Sequence, residues 1–73
     1  MINEMNIFEP SYHSPHRVFV VKANGGSVVV EIETGVDEWF VDSTHTEDIS
    51  TTIEQYGATI RITPSNGASY SLR

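Results

Sequence analysis

Cysteine is absent from this chain of 73 residues. That excludes disulfides and thiolate metal sites, and it is compatible with folding in a cytoplasm. Basic residues are scarce, with four Lys and Arg against ten Asp and Glu and a formal charge of -6. A nucleic-acid binder neutralises phosphates with Lys and Arg, so direct binding to DNA, RNA or an anionic membrane surface is not expected. No basic residue lies between Lys22 and Arg61, whereas Glu31, Glu33, Asp37, Glu38, Asp42, Glu47, Asp48 and Glu54 all do. No apolar run approaches the roughly 20 residues of a membrane-spanning helix. The opening MINEMNIFEP has neither a basic nor an apolar region of the kind that marks a secretory signal. No internal repeat or low-complexity tract is visible.

The length allows one domain. A domain this small buries only about 60% of the surface its unfolded chain exposes. Disulfides, a metal or association with other chains are the usual compensations, and association is the one expected here.

From Arg17 onward the chain reads as short β-branched runs separated by turn signals. Arg17–Ala23 is followed by Asn24-Gly25-Gly26, and Asn-Gly between apolar runs is a strong hairpin signal because both residues tolerate positive φ. In Ser27–Thr34, Val28, Val30 and Ile32 share one face, and Val29, Glu31 and Glu33 the other. Glu38–Asp42 puts Trp39 and Val41 on one face and Phe40 on the opposite one. Ser43–Asp48 is polar and reads as a loop. Ile49–Glu54 is ambiguous: Ile49 and Ile53 suit a helical i,i+4 pair and also a strand, and the β-branched Thr51, Thr52 and Ile53 favour a strand or extended segment. Ala58–Thr63 alternates, with Ile60 and Ile62 inward. Pro64-Ser-Asn-Gly67 matches a tight turn before Ala68–Leu72, which places Tyr70 and Leu72 inward. The expectation is an all-β fold: a small antiparallel β-sandwich or barrel of five to six short strands. Residues 1–16 form an extended N-terminal arm, and residues 17–73 a single β domain. The expected core is Phe19, Val21, Val28, Val30, Ile32, Trp39, Val41, Ile49, Ile53, Ile60, Ile62, Tyr70 and Leu72.

Motifs that carry chemistry are sparse. His13 and His16 flank a proline, and two histidines alone do not make a zinc site; they read as solvated residues of the arm. The acidic cluster Asp37, Glu38, Asp42, Glu47 and Asp48 lacks the spaced pattern of a calcium loop and reads as a solubilising negative field. No G-x-S-x-G elbow or phosphate loop occurs, and no helix is expected that would supply an oxyanion-stabilising N-terminus. No catalytic residue, metal ligand or cofactor is assigned, and enzyme activity is not expected.

The informative feature is a surplus of apolar residues. Val18, Val20, Val29 and Phe40 alternate out of phase with the core set, where a half-buried sheet carries polar residues. They are partly buried in a two-sheet sandwich, or are scattered exposed residues that need no explanation, or form a second apolar surface covered by another chain. Ile7, Phe8 and Tyr12 in the arm add to this set. Such an arm either lies across its own domain or exchanges onto a neighbour as an added strand. The candidate partner-binding residues are therefore Ile7, Phe8, Tyr12, Val18, Val20, Val29 and Phe40.

The stretches Asn24–Gly35, Asp37–Val41, Ile60–Gly67 and Ala68–Leu72 together resemble small virion proteins of tailed bacteriophages. The similarity covers about residues 17–73. It implies a structural or accessory role in a virion, as capsid decoration or in the neck, tail or fibre-attachment region. The implied partners are other virion proteins or copies of this chain, as a homo-oligomer or part of a larger assembly. The chain is short for this class, many members of which carry a further strand or domain. Two other readings stand beside it. The acidic stretch Glu31–Glu54 suits a soluble inhibitor of a basic host protein, and Trp39, Tyr56 and Tyr12 suit a small glycan-binding module.

Overall fold

The computed structural model describes residues 1–10, 16–55 and 57–73. These form seven strands: β1 (Asn6–Phe8), β2 (His16–Lys22), β3 (Ser27–Gly35), β4 (Glu38–His45), β5 (Ile49–Glu54), β6 (Ile60–Ser65) and β7 (Ser69–Leu72). They build a sandwich of two antiparallel sheets, one ordered β1-β6-β3-β4 and the other β5-β2-β7. The all-β expectation holds. The additional strand is β1, in the segment read as an arm, and β4 is longer than expected, continuing through Ser43–His45, which was read as loop.

The Asn24-Gly25 turn does not make a hairpin. Both residues have positive φ, at 48° and 82°, and Gly26 N–H donates to the Ala23 carbonyl at 2.7 Å. Yet among the described residues β2 pairs with β5 and β7 alone, and β3 with β4 and β6 alone. The turn carries the chain from one sheet to the other. Asn66-Gly67, at φ 53° and 87°, makes a similar crossing between β6 and β7, with Pro64 already inside β6. The two turns lie together, Asn24 Nδ2 donating to the Gly67 carbonyl at 3.3 Å.

The core consists of Phe19, Val21, Val28, Val30, Ile60, Ile62, Ala68 and Tyr70, with Ile2, Phe8, Ile32, Ile49, Ile53 and Leu72 packed around it. Seven of the expected core residues are fully buried, and four more border the core. Trp39 and Val41 are the exceptions. The pairing of β3 with β4 runs Val28↔His45 and Val30↔Ser43, then shifts to Glu31↔Val41, Ile32↔Phe40 and Glu33↔Trp39. Asp42 is the extra residue. Such a bulge reverses the facing of everything beyond it, because side chains alternate with a period of two. Ser43 and His45 therefore face inward, His45 meeting the Phe19 ring at 5.4 Å, and Trp39 and Val41 face outward.

The described part of the arm lies across its own domain. Ile2 and Tyr70 exchange backbone hydrogen bonds at 2.6 and 2.9 Å, on β7, and β1 then adds to the edge of β6 in the other sheet. Gln55, 2% exposed, holds the chain beyond β1. Its Nε2 donates to the carbonyls of Phe8, Glu9 and Ala58, and its Oε1 accepts from Arg17 at 3.1 Å.

Candidate functional site

In an antiparallel sheet, residues directly opposite one another share a face, so the register sorts the surface into rows. One row runs across the inner face of the four-stranded sheet: Phe8, Ile60, Ile32 and Phe40. Ile60 is fully buried, Ile32 half-buried and Phe40 65% exposed. The second sheet covers the middle of this row and leaves the β4 end open. Phe40 thus belongs to the inner face and projects from its uncovered edge.

A second row crosses the outer face: Ile7, Arg61, Glu31 and Val41. Arg61 donates through Nε and Nη2 to the two carboxylate oxygens of Glu31, each at 2.9 Å. This paired geometry, largely shielded from water on the Glu31 side, holds the guanidinium charged, above its ordinary value. The same guanidinium lies over the Trp39 ring at 4.3 Å from its centroid, within cation–π range. Trp39 is therefore neither core nor a bare stacking platform, because Arg61 occupies one of its faces. Tyr12 and Tyr56, the other aromatics of the glycan-binding reading, lie outside the described residues.

The candidate residues do not form one patch. Ile7 and Val29 lie on the outer face of the four-stranded sheet, where Ile7 is half-exposed and Val29 is partly covered. Val18 and Val20 lie on the outer face of the other sheet, opposite Thr52 and Ser50, so the polar neighbours there are hydroxyls. Phe8 is corrected: it packs inward, edge-on to Tyr70 at 6.3 Å and beneath the Arg17 guanidinium at 5.6 Å. Its alternation was unreadable in a segment without a period. Tyr12 lies outside the described residues.

What the fold does bring together is the β3–β4 hairpin. Val36 at its tip is 93% exposed, Phe40 is exposed on one face, and Val41, 52% exposed, on the other. Val36 and Val41 were missed as surface residues. The trace that pointed to Val41 is Asp42, a poor strand former in the middle of a strand. Around them stand Glu33, Asp37, Glu38 and Asp42, all exposed. Among the described residues no pocket opens in the surface and no group of three metal-ligating side chains converges. The arrangement offers a contact surface: apolar side chains on a strand edge, ringed by carboxylates. No family model, curated protein or solved structure matches the chain.

Proposed function

We propose that this protein is a non-enzymatic structural or assembly protein acting through protein–protein contacts, in the bacteriophage virion setting that its strand pattern resembles. One observation carries the reading. The β3–β4 hairpin exposes Phe40 and Val41 on its two faces while the core beside it is closed. Burying apolar surface is worth about 25 cal/mol per Å2, and side chains left out of a finished core are available for that gain with a partner. Capsid decoration, a neck or tail position, or fibre attachment are the settings this reading covers.

The charge distribution favours a second reading, a soluble inhibitor of a cationic host protein. No basic residue interrupts the chain from 23 to 60. That reading requires salt-sensitive pairing with the host protein and no association with particles.

Mass spectrometry of purified particles distinguishes the two. The chain is expected in particles at a defined copy number, and a Phe40→Ser/Val41→Ser variant of unchanged fold is expected to be lost from them. Absence of the wild-type chain, or full incorporation of the double variant, overturns the virion-contact reading.

A further inference from the structure

The β4 strand ends its sheet, and among the described residues no strand pairs along its outer side. Alternate residues of such an edge turn N–H and C=O groups toward an absent neighbour. The other margins of the sandwich are less open. The β1 strand has three residues, and β7 is bridged at Tyr70 by Ile2. The β5 edge has six residues, and the side chains it turns outward opposite β2 are Ser50, Thr52 and Glu54.

Natural edge strands are guarded against self-pairing by charged side chains (Lys above all), Pro, bulges or short length. The eight residues of β4 include no Lys and no Pro. Their guards are the carboxylates of Glu38 and Asp42, the bulge at Asp42 and a second shift of register between Trp39 and Glu38, which leave Trp39–Val41 in regular register. Exposed apolar side chains flank this stretch on both faces, Phe40 on one and Val41 on the other. An added strand would find an apolar contact above and below its backbone.

Charge selects the occupant. Glu38 and Asp42 stand on the edge, Glu33 and Asp37 beside it, and the nearby Arg61 is taken up by Glu31. A second copy of this chain paired edge to edge would set Glu38 and Asp42 against the same residues of its partner, and like charges brought together oppose pairing. We infer that the edge of β4 over Glu38–Val41 receives an extended, Lys- or Arg-bearing segment of another protein as an added β-strand. The inference rests on the contact reading above and names the kind of partner that reading requires.

The test uses the full chain and three short synthetic peptides: alternating Lys and Val, alternating Glu and Val, and the Lys–Val peptide with alternate amides N-methylated. The first is expected to slow amide exchange at Glu38–Val41 and to bind roughly tenfold more weakly at physiological than at low salt, since exposed charges are screened. The other two are expected not to bind. A Glu38→Lys/Asp42→Lys variant, altered only at exposed side chains, is expected to lose the Lys–Val peptide and its place in particles. Protection elsewhere than β4, equal binding of the Glu–Val or N-methylated peptide, or no binding of the Lys–Val peptide overturns the inference. Particle incorporation separates the two claims. If Phe40→Ser/Val41→Ser abolishes it and Glu38→Lys/Asp42→Lys does not, the basic-strand inference fails and the contact reading stands.

Discussion

Gln55 and His45 show how single polar side chains are accommodated in a small apolar interior. Gln55 is almost wholly buried, and its amide bonds to three carbonyls and one guanidinium. A Gln55→Ala substitution leaves those groups without their partner in a closed site, at a cost of about 2 kcal/mol. A lowered urea midpoint and faster amide exchange over residues 6–9 are the expected readouts. His45 faces inward on an edge strand, accepts or donates a hydrogen bond with Ser43 at 2.9 Å and touches the Phe19 ring. Desolvation by burial lowers its pKa, and the nearby Asp42 opposes that more weakly. The unfolded chain, with an imidazole of ordinary pKa, therefore takes up the proton first as pH falls. This contribution is complete above about pH 6.5 and is lost as pH falls from there through the lower folded value. Denaturant midpoints measured from pH 7.5 downward should show a fall in stability over that window, flatter in His45→Gln. Trp39 is the chain's one tryptophan, so the emission reports on the surroundings of that ring, Arg61 among them. Arg61→Ala uncovers the ring and is expected to shift the emission to the red with little change in far-ultraviolet circular dichroism.

At the scale of elements, the crossings and the bulge govern the shape. Gly26 sits where the first crossing turn meets the second. A methyl group there would overlap the Ser65 carbonyl oxygen and crowd that of Asn66, both backbone atoms. Gly67, at φ 87°, lies in the left-handed region that side chains with a Cβ rarely adopt. Gly67→Ala should cost about 1 kcal/mol and Gly26→Ala considerably more, a ranking that thermal unfolding of the two variants checks. The N-terminal segment bonds to a strand of each sheet, so removal of residues 1–9 takes away β1, the Ile2–Tyr70 bridge and the carbonyls of Phe8 and Glu9 that Gln55 binds. The truncated chain is expected to unfold at markedly lower denaturant. An unchanged midpoint would show that these pairings contribute nothing to the fold.

For the whole molecule, compactness and exposure point the same way. The radius of gyration is 11.6 Å, close to the roughly 11 Å expected of a compact chain of this length. The accessible surface of 4612 Å2 is near the roughly 4500 Å2 of an ordinary monomer of 8.1 kDa. The chain thus closes its own core, and the apolar side chains it leaves out are confined to particular edges and faces. Folding and binding are therefore separable by mutation. Phe19→Ala, within the closed core, should cost about 3–5 kcal/mol, comparable with the entire stability of a domain this size. Phe40→Ser, at an exposed position, should stay within about 0.5 kcal/mol of the wild type. Paired urea titrations test both values.

Much of this was legible from the residues in order. Alternation in Ser27–Thr34 and Ala58–Thr63 placed Val28, Val30, Ile60 and Ile62 inward, because one buried face imposes a period of two. Asn24-Gly25 placed the first tight turn, because both residues tolerate positive φ, and Pro64-Ser-Asn-Gly67 the second. Three things were decided only by the tertiary structure. Whether an Asn-Gly turn joins partners or crosses between sheets depends on which strands lie beside its flanks, and those contacts are distant in sequence. The facing of Trp39, Phe40 and Val41 depends on one extra residue at Asp42, which becomes a bulge only when β4 is laid against β3. The segment read as an arm gains a strand because β6 has a free edge to pair with and Gln55, far along the chain, binds its carbonyls. Local sequence specifies periodicity and turns; pairing partners and the reversal at a bulge are properties of the assembled sheets.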